Sequence, residues 1–229
     1  MPSLIALLCF AAVDDPRFLE HVRSAEPQAA EQQLRDFHVP DGFEVQLVAA
    51  EPDIPKPMNL AFDAKGRLWV SGSLEYPYPA SDGQGRDSVR VLEDKDGDGR
   101  ADNITVFAEG LNIPMGLYPY RDGVIVYSID RIDFWRDTDN DGKADQRQLV
   151  YGPLGKPLDT HGMQNAFRRG LDGWLYINHG FANHSVIRGR DGSQISMHSG
   201  NTYRVRLDGS RVEQYTWGQV NPFGSAWTE

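Results

Sequence analysis

Residues 94–102 read DKDGDGRAD, and residues 137–145 repeat this stretch as DTDNDGKAD. The second copy begins 43 residues after the first, which is about the length of one four-stranded blade of a β-propeller. Both copies carry carboxylates at positions 1, 3, 5 and 9 and a glycine at position 6, a spacing typical of calcium-binding loops. These two segments, acidic loop 1 and acidic loop 2, therefore indicate both a repeat architecture and sites for a hard cation.

The predicted calcium ligands alternate along each loop, so that every second side chain turns toward one ion. They are the carboxylates of Asp94, Asp96, Asp98, Asp102, Asp137, Asp139, Asp141 and Asp145 and the backbone carbonyls of Arg100 and Lys143. Position 12 holds Thr105 or Gln148 instead of the bidentate Glu of an EF-hand, and both flanks of each loop read as strands. We expect a calcium-tightened β-turn with a structural role; an acidic, solvated turn without a metal is the alternative.

The composition limits the classes of partner. The chain has 229 residues, is 40% hydrophobic and carries a formal net charge of −10, which indicates a globular protein with a sizeable core. No basic cluster exists that would neutralise phosphates, so the sequence argues against nucleic acid and anionic membrane surfaces as partners.

The first 13 residues are predicted to be a signal peptide, because residues 4–13 form an apolar run that ends in small residues. A buried hydrophobic N-terminal segment is the alternative, and the run is too short for a transmembrane span. An exported protein of the periplasm or cell envelope is expected. Removal of this leader would also remove Cys9, the only cysteine, and with it any disulfide, thiolate metal site or covalent haem.

Two further regions follow. Residues 14–41 are predicted to form a polar arm with a short helix that opens at Pro27 and runs through Leu34. From residue 42 to residue 229 short strands alternate with Gly, Asp and Pro, and residues 45–49 read as the outer strand of a blade.

A second repeat is superimposed on the acidic one. Segments 58–70, 115–126 and 163–176 each read as strand, Asp/Gly turn and strand, as in the inner two strands of a propeller blade, and a further unit opens at Asn221. The predicted fold class is therefore all-β, a β-propeller with about three four-stranded blades and the start of a fourth. We expect the N-terminal part of a six- or seven-bladed ring, an open arc whose cut edge exposes apolar side chains.

Residues 37–228 closely resemble the propeller of exported planctomycete and verrucomicrobial proteins that are called membrane-bound dehydrogenases. The segments that carry the resemblance are GFEVQLVAAEP (42–52), KPMNLAFD (56–63), GLNIPMGL (110–117), THGMQNAFRRG (160–170) and GNTYR (200–204). Longer members add helical repeats and a cytochrome c module with a Cys-x-x-Cys-His haem motif. The resemblance thus implies a cytochrome partner that these residues do not include.

The propeller is also distantly similar to soluble sugar dehydrogenases that use pyrroloquinoline quinone (PQQ) and calcium. In that resemblance His161, ahead of the segment DGWLY (172–176), matches the catalytic base, and Asn221 matches a residue that contacts the quinone. Two positions depart from the pattern: Phe181 replaces an Asp that orients the base, and Val220 replaces a quinone-binding Arg.

Oxidation of a sugar or alcohol needs a general base for the hydroxyl proton while a hydride leaves. His161 is the candidate base and Asp159 the candidate orienting carboxylate; alternatively, His161 caps a turn or fills the channel. Arg168 is a candidate for binding the carboxylates of a cofactor or substrate, or else a solvated strand end. Further histidines expected near the same mouth are His179, His184 and His198.

Tryptophans within predicted strands are expected to pack between blades rather than to stack on sugars. They are Trp69, Trp135, Trp174 and Trp217. Two function classes remain open: an exported quinoprotein-like dehydrogenase that passes electrons from a sugar or alcohol to a cytochrome, and a non-catalytic, calcium-stabilised propeller that binds glycan or protein.

Overall fold

The computed structural model describes residues 28–228, and the predicted signal peptide lies outside this range. The chain divides into two compact units, residues 1–47 and 48–229. In the first unit a single α-helix, Ala30–Asp36, is described; it begins and ends later than the predicted helix. No helix among the described residues is long and apolar enough to cross a membrane.

The second unit is built from antiparallel four-stranded sheets, which confirms the all-β fold class. The first sheet contains β1 (Pro57–Phe62), β2 (Leu68–Gly72), β3 (Asp87–Glu93) and β4 (Asn103–Leu111). The second sheet contains β5 (Gly116–Tyr120), β6 (Gly123–Ser128), β7 (Arg131–Arg136) and β8 (Gln146–Tyr151). The third sheet contains β9 (Asn165–Arg169), β10 (Leu175–His179), β13 (Gly200–Val205) and β14 (Val212–Gln219).

The third sheet differs from the other two by an insertion. A separate two-stranded hairpin is inserted between the second and third strands of this sheet. It consists of β11 (His184–Arg188) and β12 (Gln194–His198). The sequence did not predict this hairpin, because its strands alternate polar and apolar residues just as the sheet strands do.

The predicted strand, turn and strand repeat is confirmed by the pairs β1–β2, β5–β6 and β9–β10. In the first pair the Asp63 carboxylate accepts hydrogen bonds from the backbone N–H groups of Lys65 and Arg67 and from the indole of Trp69. Gly66 has a φ of +79°, which a side chain would strain. The Asp and Gly of the motif therefore form the turn directly.

Successive sheets pack through their first strands, since β1 contacts β5 and β5 contacts β9. Gly116 allows the second of these contacts: a Cβ there would lie 2.5 Å from the ring of Phe167, which is 3% exposed. Phe62 holds the same repeat position in the first sheet and is 67% exposed. The same residue type is thus core in one repeat and surface in another, according to whether a sheet packs against it.

Three predictions about strands and core are wrong. Residues 45–49 and 221–227 contain no strand, because neither segment finds a partner strand among the described residues. Trp217 lies on the edge strand β14 and is 75% exposed, although Trp69 and Trp174 are buried as expected.

Candidate functional site

Acidic loop 1 lies between two strands, β3 and β4, as predicted. Asp94 accepts hydrogen bonds from the N–H groups of Gly97 (2.7 Å) and Gly99 (2.9 Å). Asp94, Asp96 and Asp102 each place an oxygen within 4.8 Å of the others, and all three are exposed. Three anionic oxygens this close repel one another unless a cation lies between them, and hard oxygens are the donors that Ca²⁺ prefers. The donor set therefore fits calcium.

Acidic loop 2 connects β7 to β8 and has the same turn. Asp137 accepts the N–H groups of Asp141 (3.1 Å) and Gly142 (2.9 Å). Here the carboxylates that gather are Asp137, Asp139 and Asp141, with Asp137 half-buried.

Two predicted carboxylate ligands fall outside these groups. Asp98 binds the N–H of Arg100, and Asp145 binds the N–H and the hydroxyl of Thr138. The carbonyl ligands at Arg100 and Lys143 stay predictions.

The Asp159–His161 pair forms the second candidate centre. One carboxylate oxygen of Asp159 lies 2.7 Å from Nδ1 of His161 and also accepts its backbone N–H at 2.7 Å. These two bonds hold the pKa of Asp159 below its ordinary value, so it is an anion at neutral pH. A carboxylate only accepts hydrogen bonds, so Nδ1 carries the proton and Nε2 is the basic nitrogen. The His161 side chain is 64% exposed and can meet a substrate.

Asn183 holds this pair in place and was missed by sequence reasoning. Its side-chain oxygen accepts the N–H groups of Leu158 (3.0 Å) and Asp159 (3.3 Å), and its amide donates to the Asp159 carbonyl (2.9 Å). Asn183 is 4% exposed. Asn is typical of loops that bond to backbone, but only the fold reveals that it reaches a segment 24 residues earlier.

A close backbone approach fixes the other side of the loop. A Cβ at Gly180 would lie 1.9 Å from the carbonyl oxygen of Gly162, so this position admits only glycine. The ring of Tyr76 meets that of His161 edge-on, with centroids 5.5 Å apart. Glycine and aromatic ring together define one face of the site.

Asn221 and Arg168, the two residues nominated for a cofactor, make different contacts. The Asn221 side-chain oxygen accepts the N–H of Phe181 at 3.0 Å, beside Gly162. Arg168 lies on β9 and borders a cavity of about 90 Å³ that Phe223 and Gly224 also line, whereas sites for small organic ligands usually enclose about 300 Å³ or more.

The other histidines differ from one another in their surroundings. His179 is fully buried, with Nδ1 2.6 Å from the carbonyl oxygen of Ser199 and Nε2 3.0 Å from the hydroxyl of Ser185. Burial lowers the pKa of His179, so the ring is neutral and serves as a polar core residue. His184 and His198 are exposed and face each other across the inserted hairpin.

The sequence comparison identifies the family. Residues 29–229 match the family described as "Domain of unknown function (DUF7133)". The chain belongs to this family. The relationship to planctomycete and verrucomicrobial proteins stays a prediction, and no curated protein matches the chain.

Similar solved structures include "Iodide structure of Trichoderma reesei Carbohydrate-Active Enzymes Family AA12", with 19% identity, a TM-score of 0.46 and coverage of 63% of this chain and 34% of that one. "Holo form of Pyranose Dehydrogenase PQQ domain from Coprinopsis cinerea" has 15% identity, a TM-score of 0.47 and coverage of 66% and 37%. A luciferin-regenerating enzyme has 13% identity, a TM-score of 0.41 and coverage of 72% and 62%. The chain spans about a third of the length of the first two structures.

Proposed function

We propose that this DUF7133 chain is part of an exported, calcium-stabilised β-propeller that oxidises a sugar or alcohol, with His161 as the general base. The observation that carries the proposal is the 2.7 Å contact between the Asp159 carboxylate and Nδ1 of the exposed His161. An ionised Asp fixes the imidazole tautomer and stabilises the imidazolium that forms when Nε2 accepts a proton.

The residues around the Asp159–His161 pair have different roles. Asn183 fixes the backbone on which Asp159 lies, and the Gly162–Gly180 contact fixes the backbone beside His161. Nε2 of His161 takes the hydroxyl proton of the substrate while the carbon-bound hydrogen leaves as a hydride. Asp159 remains ionised and compensates the charge on the ring.

The residues beside Asn221 depart from the pattern that the sequence resemblance implies for PQQ. The side-chain oxygen of Asn221 accepts the N–H of Phe181, and Arg168 borders a small cavity that Phe223 and Gly224 also line. Val220 also stands in place of the arginine of PQQ enzymes. The proposal assigns proton transfer to His161; a quinone cofactor such as PQQ, when bound, would accept the hydride.

Calcium is proposed at the two acidic loops. Asp94, Asp96 and Asp102 would hold one ion and Asp137, Asp139 and Asp141 the other, each linking two neighbouring strands of a blade. The contacts of β1 with β5 and of β5 with β9 support blades packed around a common axis. The open arc, the export and a downstream cytochrome module belong to this proposal.

The test is reduction of an artificial dye by the full chain with calcium and a panel of aldoses and alcohols, with and without added PQQ. His161→Ala should lower the rate by about a hundredfold or more, and Asp159→Asn should lower it less, by removing the acceptor that fixes the tautomer. His38→Ala is the matched control, because His38 is an exposed histidine outside the second unit. Unchanged dye reduction in His161→Ala would refute the base assignment.

The second candidate is a non-catalytic propeller that binds glycan or protein. It is favoured by Phe181 and Val220, which stand where PQQ enzymes carry Asp and Arg. If no substrate reduces the dye while calcium still raises the melting temperature, this candidate replaces the dehydrogenase.

A further inference from the structure

The inserted hairpin carries two histidines directly opposite each other. His184 is the first residue of β11 and His198 the last residue of β12, and they form a cross-strand pair in the antiparallel register. Their rings lie 4.3 Å apart between centroids, tilted by 34°. Nδ1 of His198 is 3.1 Å from Nε2 and 3.3 Å from Nδ1 of His184.

This separation suits two ligands of one metal ion. Imidazole nitrogens bind Zn²⁺ at about 2.0–2.1 Å. If the ion lies at that distance from two nitrogens that are 3.1–3.3 Å apart, the nitrogen–metal–nitrogen angle is about 100°. That angle lies between those of square-planar and tetrahedral coordination. Both rings, which are tilted by 34°, would turn so that their lone pairs converge on the ion.

The backbone under the pair is fixed on both sides. The N–H of Ser199, which follows His198, donates to the carbonyl of Asn183, which precedes His184, at 2.9 Å. The Asn201 side chain donates to the His198 carbonyl at 3.1 Å. Because the two Cα positions are set by the fold, a metal that binds here pays little entropy to bring its ligands together.

The neighbouring histidine cannot join the pair. Both ring nitrogens of His179 are committed to Ser199 and Ser185, and the Ser185 hydroxyl also accepts a bond from Gln164. His184 and His198 are exposed, so further coordination positions open to solvent or to a small ligand.

We infer that His184 and His198 form an open, two-histidine site for a late first-row divalent metal such as Ni²⁺, Cu²⁺ or Zn²⁺, separate from both the acidic loops and the Asp159–His161 pair. Imidazole ligands favour these ions, whereas Ca²⁺ takes oxygen ligands. The site staples β11 to β12 at the base of the hairpin.

The test is calorimetric titration of the tag-free, full-length chain with NiCl₂. Millimolar CaCl₂ is present so that Ca²⁺ competes with Ni²⁺ at the acidic loops. One Ni²⁺ per chain is expected. His184→Ala and His198→Ala should each weaken binding at least about tenfold, because a chelate loses its second ligand. His38→Ala and His161→Ala are the matched controls and should bind as the wild type does.

Two further measurements keep the test decisive. If an Ala variant loses its far-ultraviolet circular dichroism, His184→Gln and His198→Gln replace it. Electron paramagnetic resonance of the Cu²⁺-loaded chain should show coupling to two imidazole nitrogens, and to one in each variant. Wild-type Ni²⁺ affinity in both His184 and His198 variants, or equal losses in His38→Ala, would overturn the inference, whatever the dye assay shows.

Discussion

Acidic loops 1 and 2 share a sequence pattern and a turn but gather different carboxylates. Loop 1 brings together positions 1, 3 and 9, whereas loop 2 brings together positions 1, 3 and 5. The loops differ at position 2, which is Lys95 in loop 1 and Thr138 in loop 2. Lys95 offers Asp102 only its backbone N–H, at 2.6 Å, whereas Thr138 offers Asp145 its N–H and also its hydroxyl, at 2.5 Å. Both oxygens of Asp145 are thereby used within the loop.

The loops also differ in what they pack against. The N–H at position 8 donates to a preceding segment in both: Ala101 to the Val48 carbonyl at 2.9 Å, and Ala144 to the Phe107 carbonyl at 2.7 Å. Phe107 belongs to β4 and to a buried core that includes Ala144, whereas Val48 lies outside any strand. Loop 2 also borders a cavity of about 620 Å³ between the first two sheets. The same sequence motif therefore lies in two environments, because a different preceding segment accepts the hydrogen bond from position 8 in each loop.

Removal of calcium should have the largest effect. If the calcium concentration is about one hundred times the dissociation constant of each loop, the two ions together stabilise the fold by about 5 kcal/mol. Chelation should lower the melting temperature by roughly 10 °C or more, measured by differential scanning calorimetry. The double variant Asp96→Ala/Asp139→Ala should lose this response, and an unchanged melting curve upon chelation would exclude a structural calcium role.

The next effect separates the two environments. Ala144→Pro removes the donor to the buried Phe107 carbonyl and should cost about 1–3 kcal/mol. Ala101→Pro should cost less, because Val48 is exposed and water can reach its carbonyl. Urea unfolding of both variants without calcium measures the difference. Equal losses would mean that the two loops are packed alike.

Thr138→Val tests the role of position 2. Loss of the hydroxyl frees one oxygen of Asp145 for the ion, so calcium affinity of loop 2 should rise by about three- to tenfold. Calcium titration in an Asp96→Ala background isolates this loop. The matched control is Lys95→Arg in an Asp139→Ala background, which should leave loop 1 unchanged because it keeps the positive charge and the backbone N–H that Asp102 accepts. Increased calcium affinity in both variants would contradict the role assigned to the Thr138 hydroxyl.

The smallest effect concerns acid stability at the entry to loop 2. Arg136, the last residue of β7, binds Asp122 at 2.6 Å, and the Asp122 carbonyl accepts the N–H of Asp137. The hydrogen bond from Arg136 lowers the pKa of Asp122 below 3.8. A lowered folded-state pKa stabilises the protein fully above pH 3.8, and this contribution is lost as the pH falls through the folded-state pKa.

Asp122→Asn should therefore destabilise the calcium-free chain by less than about 1 kcal/mol near neutral pH, because the pair is partly exposed. The difference from the wild type should vanish in strong acid. Urea midpoints measured across this pH range check the sign, and a difference that grows in acid would contradict it.

Part of the candidate site was predictable because it is local. The strands on both sides of each acidic loop follow from alternating apolar residues, and the contact of Asp159 with His161 needs only two residues of separation. Asn183 was not predictable, because its bonds to residues 158 and 159 depend on where β10 ends and the hairpin begins.

The sequence by itself determined the repeats and the turns, because a glycine with positive φ and a turn-forming carboxylate act over a few bonds. Tertiary structure decided which copy of a residue is buried: Phe167 packs against Gly116, while Phe62 and Trp217 are exposed. It also brought His184 to His198 across an insertion that no local pattern distinguishes. Burial and cross-strand contact depend on a partner segment, and the partner is set by the chain path rather than by neighbouring residues.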